Sequence, residues 1–174
     1  STEASPAFQR AEIISALSSV VLLLISLLWN NISPEVPGKV ELKGLEGFVL
    51  NESIPESLKL ELAWGSQMIL TATAAATVLI YLDDQIYLRR GLISNSKFLP
   101  GEICTRAKDR NQLISLVNTT FYPGRSEFDP ILKNLPSVIV QPLTNRGFLI
   151  IGGWSPRCFT SSDEKWIEGW SLKL

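Results

Sequence analysis

Residues 138–174 read VIVQPLTNRGFLIIGGWSPRCFTSSDEKWIEGWSLKL, and this stretch decides the fold. Residues 138–143 and 148–154 are rich in β-branched and apolar side chains and have the length of strands. The four residues between them, 144–147, are turn formers of the kind found in hairpin loops. The stretch therefore predicts an antiparallel β-hairpin, which Ser155-Pro156-Arg157 ends.

A helix is predicted to follow this hairpin directly. Ser161 and Glu164 have the spacing of a capping box, in which two side chains satisfy free backbone N–H groups at a helix start. Ile167, Trp170 and Leu174 then recur at helical spacing and share one face. A sheet is thus expected to pack against a closing helix.

The preceding segment, 53–73, has the pattern of a second helix. Its buried face is predicted to consist of positions at helical spacing: Leu58, Leu62, Gly65, Ser66 and Ile69. Strands are predicted at 77–82 and 85–88, joined by a turn at Asp83-Asp84. Because residues 62–82 carry no charge, a second membrane span remains the alternative for this segment.

The middle of the chain carries weaker signals. We predict a strand at 102–106, a short helix at 109–117 capped by Asp109, and a loop at 121–136 that crosses one face of the sheet. The expected fold class is α+β, with an N-terminal transmembrane helix followed by an antiparallel sheet and flanking helices.

Residues 13–32 contain no charged side chain and are long enough to cross a bilayer. They are predicted to be a transmembrane helix, with a buried helix or an uncleaved signal sequence as alternatives. The expected organisation is a tail at 1–12, the helix at 13–32, a Pro- and Gly-containing linker at 33–50 and a domain at 51–174. The polar start without methionine predicts a chain that follows a processed leader.

Composition excludes several classes of function. Basic and acidic residues number 16 and 17 and are interspersed, so the phosphate-neutralising patch that nucleic acids require is not expected. Histidine is absent, which removes the usual general base and the commonest metal ligand. Cys104 and Cys158 form neither a redox motif nor a zinc spacing, and are expected to be reduced thiols. No metal site and no catalytic residues are predicted, and the enzyme question is left open towards a non-catalytic protein.

Several residues are candidates for a site, although each has a structural interpretation. Arg125 could bind an anion or form an exposed ion pair, and Cys158 is a thiol in a predicted loop. Neighbouring Arg89 and Arg90 should point to opposite faces of a strand. Gly152-Gly153 lacks the motif of a phosphate loop. The candidates for an interaction surface, or for packing, are Trp154, Phe159, Trp166 and Trp170.

The ending CFTSSDEKWI, after a helix, a meander of strands and a crossing loop, resembles the end of a GAF domain. The wider pattern includes ELAWGS at 61–66, RRGL at 89–92 and PGRSEF at 123–128. Together with the apolar N-terminal helix it resembles the GAF-like member of the cofactor assembly of complex C family (the B-type subunits) of chloroplasts and cyanobacteria.

This resemblance implies an assembly factor that assists covalent haem attachment to the cytochrome b subunit of the thylakoid cytochrome bf complex. It implies a paralogous partner subunit in a hetero-oligomer, the cytochrome b subunit as client, and a thylakoid location with the domain on the stromal or cytoplasmic side. No tightly bound cofactor is expected, and transient haem contact through a cysteine or tyrosine stays open. A ligand-sensing GAF-like module, using Arg125 or Cys158, and a permanent accessory subunit of a thylakoid complex are the alternatives.

Overall fold

The computed structural model describes residues 6–32, 39–144 and 146–174, with side chains omitted for 29–32. The expectations for residues 1–5, for linker residues 33–38 and for Asn145 in the hairpin loop lie outside this description. The chain forms two compact units, Ser1–Val36 and Pro37–Leu174, and each is described by itself.

The first unit contains helix α1, Pro6–Ile32. It ends where the sequence predicts but begins seven residues before Ile13, because residues 6–12 contain nothing that stops a helix. The segment Pro6–Leu28 is long and apolar enough to cross a membrane. Ser18 and Ser19 donate hydrogen bonds to the carbonyls of Ile14 and Ser15, at 2.9 and 3.0 Å, so these hydroxyls are satisfied within the helix.

The second unit is a six-stranded antiparallel sheet with helices on both faces. The strand order is β1-β3-β2-β6-β5-β4. In chain order the elements are β1 (Leu45–Leu50), α2 (Glu56–Ala72), β2 (Ala75–Leu82), β3 (Gln85–Ile93), α3 (Glu102–Arg110), β4 (Ile114–Leu116), 3₁₀ turns at Thr119–Phe121 and Pro123–Phe128, β5 (Ser137–Leu143), β6 (Gly147–Gly153) and α4 (Ser161–Ser171).

Alternation along the central strands supplies two separate cores. On β2, Val78 and Ile80 pack with helices α2 and α4, whereas Leu79 and Tyr81 face α3 and the crossing segment. Every residue of β2 and β6 is buried. A central strand covered on both faces must be apolar at every position, which explains the continuous apolar runs in the sequence.

The hairpin formed by β5 and β6 confirms the fold expected from residues 138–174, and the β2–β3 hairpin agrees with the second predicted pair of strands. Residues 62–82 are divided between α2 and β2, so they do not form a second spanning helix. Of the predicted buried face of α2, Leu62, Gly65, Ser66 and Ile69 are buried.

Two predictions in the middle of the chain are wrong. Residues 102–106 belong to helix α3 rather than to a strand, and residues 114–116 of the predicted helix form β4. Helix α3 has Gly101 at its N-cap and no side-chain cap from its own sequence, so its start gives no local signal. Strand β4 exists because its residues pair with β5.

Two element starts are also shifted. Part of the predicted linker is strand β1, which pairs with β3 from Leu45 onward. The capping box of α4 is formed by Thr160 and Asp163 instead of Ser161 and Glu164. The Thr160 hydroxyl accepts from the Asp163 N–H at 3.2 Å, while the Asp163 carboxylate accepts from the Thr160 N–H at 2.7 Å.

Candidate functional site

An aromatic groove lies between α2 and α4 on the outer side of the helical layer. Its cavity volume is about 110 Å³. The lining is almost entirely apolar: Trp64, Gly65, Met68, Ile69, Ala72, Thr73, Asp163, Trp166 and Trp170. A shallower depression continues from it past Lys165, Gly169 and Lys173. The groove is therefore open at one end towards two lysines.

Gly65 and Trp170 form the base of this groove. A Cβ atom at Gly65 would lie 2.1 Å from the Trp170 ring, so only glycine allows the indole to pack against α2 at this position. Trp170 is 5% exposed, and its Nε1 donates a hydrogen bond to Glu61 Oε1 at 3.2 Å. Lys173 lies 3.9 Å from the same carboxylate oxygen. The two helices are thus joined by one large buried aromatic with its polar atom satisfied.

Two other tryptophans form the walls and remain exposed to solvent. Trp64 on α2 is 51% exposed and Trp166 on α4 is 61% exposed. Large aromatic side chains beside an apolar cleft are uncommon on a free surface and typical of the centre of a protein interface. The groove has the chemistry of a docking site for an apolar protein surface.

The predicted interaction residues fall into two groups. Trp166 and Trp170 line the groove, whereas Trp154 and Phe159 are half-buried at the end of β6. The Lys39 ammonium lies over the Trp154 ring at 5.3 Å from its centroid. Phe159 packs against the core beneath α2 and α4. Trp154 and Phe159 therefore have packing roles in this structure.

Trp64, Gly65 and Met68 are groove residues that sequence reasoning missed. Trp64 directly precedes Gly65, which helical spacing assigns to the buried face of α2. A signal did exist, because an exposed tryptophan adjacent to a small residue on a helix marks a place where another helix approaches closely. That signal depends on knowing that α4 is the neighbour.

The candidate ligand residues are not brought together. Arg125 is exposed beside a cavity of about 40 Å³ lined also by Thr119, Phe128 and Asp129. Cys158 is half-buried at the end of the sheet, with its Sγ 3.2 Å from Ser137 Oγ. No cavity in the described ranges 39–144 and 146–174 is lined by both residues.

The face of the sheet that could hold a large ligand under the crossing segment is filled by side chains. Phe98 and Phe128 are each 1% exposed, and Phe98 packs edge-to-face on Tyr81 with ring centroids 5.7 Å apart. Leu132 and Leu135 complete this layer. The geometry offers little support for a tetrapyrrole bound over the sheet.

The PGRSEF motif has a structural role through Glu127. Its carboxylate accepts hydrogen bonds from the backbone N–H groups of Gly101, Ile103 and Cys104, at 2.7, 2.8 and 3.1 Å. These are free donors at the start of α3, where a negative charge also complements the helix dipole. Burial, with a further contribution from Glu127, raises the pKa of the Cys104 thiol well above its ordinary value. That thiol stays protonated.

The two arginines after the β2–β3 turn also have structural partners. Arg89 donates to the carbonyls of Ser94 and Ser96, and burial lowers its pKa from the ordinary value. Arg90 points to the other side, where its guanidinium donates to the Ala63 carbonyl at 2.7 Å. The expected opposite orientation is present, and neither arginine lines the aromatic groove.

The turn residue Asp83 holds the end of the β2–β3 hairpin. Asp83 and Asp84 both have positive φ, at 48° and 59°, as turn residues of this type of hairpin do. The Arg146 guanidinium donates to Asp83 Oδ1 at 3.2 Å and lowers the pKa of that carboxyl. Among the residues described, no group of three or more Cys, Asp or Glu side chains is arranged to hold a metal ion.

Comparison with known structures shows the fold. The domain is similar to the GAF domain region of a putative membrane protein from Geobacter sulfurreducens PCA, with a TM-score of 0.54 and 14% identity over 67% of this chain and 91% of that one. It is also similar to the type II free methionine-R-sulfoxide reductase from Thermoplasma acidophilum, with a TM-score of 0.51 and 15% identity over 66% of this chain and 85% of that one.

Sequence comparison shows the family. CCB4, a chloroplastic protein of Arabidopsis thaliana named for cofactor assembly of complex C, is 30% identical over 99% of this chain and 62% of its own length. Its relative CCB2, from the same plant, is 26% identical over 76% of this chain and 54% of its own length. The chain thus spans between half and two thirds of these relatives. Since the family model matches residues 1–174, the chain belongs to the CCB2/CCB4 family of cofactor assembly of complex C, the B-type subunits.

Proposed function

We propose that this chain is a membrane-anchored assembly factor of the cytochrome b6f complex that assists covalent haem attachment to the cytochrome b subunit. In this proposal it acts as a docking subunit and supplies no catalytic group of its own. The family and the names of its chloroplastic relatives support the assembly role. The apolar helix α1 supports a membrane anchor.

The partner that we propose for the groove is a paralogous subunit of the same family. The chain matches two differently named family members, CCB4 and CCB2, which supports a complex built from related subunits. The observation that carries the docking role is the exposure of Trp64 and Trp166 on either side of an apolar cleft. Tryptophans in such positions are the commonest source of binding energy at protein interfaces.

The size of the effect follows from the exposed area. A tryptophan buries about 150–250 Å² when fully covered, so roughly 100 Å² remains to be covered on Trp64 and on Trp166. At about 25 cal/mol per Å² this corresponds to ~2 kcal/mol for each side chain, or about a 30-fold change in affinity. Docking of the paralogue should therefore depend strongly on both residues.

Two experiments test the proposal. Disruption of the gene should leave the cytochrome b subunit without its covalent haem and should reduce accumulation of the complex. Normal haem attachment in the disrupted strain would show that the assembly role is wrong. In detergent extracts, Trp166→Ala should reduce capture of the paralogue by about 30-fold. Phe121→Ala is the matched control, because Phe121 is 75% exposed and lies outside the groove.

The location that we propose is the thylakoid membrane, with the GAF-like domain on the stromal side, or on the cytoplasmic side in a cyanobacterial cell. Lys39 and Lys43 follow α1 while Arg10 lies near its start, and lysines and arginines favour the cytoplasmic or equivalent side. Protease added to intact thylakoids should digest the domain. Complete protection until the membrane is opened would reverse the orientation.

A further inference from the structure

Strand β1 forms one edge of the sheet and has the properties of a strand-addition site. Within the described ranges its single neighbour in the sheet is β3. The pairing of β1 with β3 runs without interruption over Leu45–Leu50. Leu45, Phe48 and Val49 are 74%, 46% and 51% exposed, and Glu46 is the one charged residue of the strand. Edges of this kind are normally protected, because unpaired backbone groups bind other strands.

The opposite edge of the sheet shows the usual protection. Strand β4 is only three residues long, Ile114–Leu116. Beyond it, the end of β5 carries Pro142, which has no N–H group to offer another strand. Strand β1 contains no proline, lysine or bulge. The contrast between the two edges suggests that β1 is kept open for a partner.

The direction of the backbone groups in β1 follows from the ladder. Asn51 N–H, directly after the strand, donates to the Tyr87 carbonyl of β3 at 2.9 Å. In an antiparallel pair, bonded residues alternate, so the odd-numbered residues of β1 bond to β3. The N–H and C=O groups of Glu46, Phe48 and Leu50 therefore point away from the sheet. This outward set is symmetric about Phe48.

We propose that β1 pairs antiparallel with β1 of a second copy of this chain, on a two-fold axis through Phe48. In this register Phe48 faces Phe48 of the other copy, and Glu46 faces Leu50. Every outward N–H and C=O of both strands is then paired, and the two sheets become continuous. A shift by two residues in either direction leaves the groups of Glu46 or Leu50 unpaired. The symmetry of the outward set is what favours a second copy over an unrelated strand.

The side chains are compatible with this register. The Arg90 guanidinium lies over the Phe48 ring at 4.6 Å from its centroid, which holds the ring beside the strand. On the other face, Val49 would lie opposite Gly47 of the second copy, where no side chain stands in its way. Glu46 is placed at the ends of the paired segment, so the two negative charges are kept apart. The pairing uses a different surface from the aromatic groove and does not depend on the proposed function.

The test is the oligomeric state of the full chain, with α1, in detergent micelles. Sedimentation or native mass measurement should find a dimer for the wild type. Glu46→Pro removes an outward N–H while leaving the bonds of β1 to β3 intact, and it should weaken dimerisation by at least about tenfold. Glu46→Ala is the matched control, since it keeps the N–H and should dimerise as the wild type does. Far-UV circular dichroism of the proline variant checks that the domain is folded.

A second measurement reports the register. In a Cys158→Ser background, where the remaining Cys104 is buried, Phe48→Cys should be linked to itself by a short thiol cross-linker. Phe121→Cys, exposed on the crossing segment, should not. The proposal is overturned if the wild type is monomeric, if Glu46→Pro dimerises as well as Glu46→Ala, or if pairing through β1 occurs only with the paralogue.

Discussion

Replacing Gly65 with alanine should destabilise the domain, although glycine to alanine in a helix ordinarily does the opposite. In the interior of an exposed helix the change is worth about 1 kcal/mol in favour of alanine. Gly65 is buried in α2, and the new Cβ would lie 2.1 Å from Cε2 of Trp170. Carbon atoms in good contact are about 3.5 Å apart, so the indole would have to move by about 1.4 Å.

The ring has little freedom to make that movement. Trp170 is 5% exposed, is hydrogen-bonded to Glu61 and packs on the core that includes Ile167. Overpacking of this kind costs about 1–3 kcal/mol, and complete loss of a buried tryptophan costs about 3–5 kcal/mol. After subtraction of the helix-propensity gain, Gly65→Ala should lower the free energy of unfolding by about 1–2 kcal/mol. The thermal midpoint should fall by roughly 3–8 °C.

Gly169 provides the matched control within the same layer of the structure. It lies inside α4, and a Cβ added there would meet no atom within 4 Å. Gly169→Ala should therefore raise the free energy of unfolding by about 1 kcal/mol. Thermal unfolding of the full chain in detergent, followed by circular dichroism and tryptophan emission, measures both variants. An equal rise of the midpoint for Gly65→Ala and Gly169→Ala would refute the packing of Trp170 on α2.

Three further predictions concern groups outside the groove. Glu127→Gln should lower the free energy of unfolding by about 1–3 kcal/mol in denaturant titrations, because a charged acceptor of three backbone N–H groups is lost. For Asp83, the hydrogen bond from Arg146 holds the folded-state pKa below the ordinary 3.8, so its contribution is present above that pH and is lost as pH falls through the lowered value. Between about pH 6 and about pH 3, the thermal midpoint of the wild type should fall more than that of Asp83→Asn, and parallel curves would contradict this. Iodoacetamide should alkylate half-buried Cys158 in the folded protein and should reach Cys104, whose pKa is raised by burial, only after unfolding. Mass spectrometry of the labelled peptides distinguishes the two thiols.

The elements that sequence reasoning predicted correctly are those whose signals are local. The β5–β6 hairpin is made by two apolar runs with turn formers between them, and α4 starts with a capping box in consecutive residues. The box is displaced by one residue because Thr160 and Asp163 have the same spacing as Ser161 and Glu164. Two overlapping pairs with equal chemistry cannot be separated without the backbone angles, and the helix start moves by one residue accordingly.

The two wrong predictions concern elements that are stabilised from a distance. Helix α3 is capped by Glu127, which lies in a 3₁₀ turn well after the helix in sequence. Strand β4 has three residues and is defined by its ladder to β5. Neither partner can be identified by reading the segments themselves. The charged residues of 102–110 also suit a half-exposed helix, but nothing local marks where that helix begins.

The groove shows a similar division between local and distant information. Ile167 and Trp170 on one face of α4 were predictable from helical spacing, and both are buried. Trp166 precedes Ile167 and therefore lies about 100° around the helix from it, yet it is one turn before Trp170 and borders the same cleft. Its exposure depends on α2, where Gly65 draws Trp170 inward and Trp64 forms the facing wall. The sequence indicates which tryptophans are on which side of each helix. Only the packing of α2 on α4 shows that one of them closes the core while the other two are left for a partner.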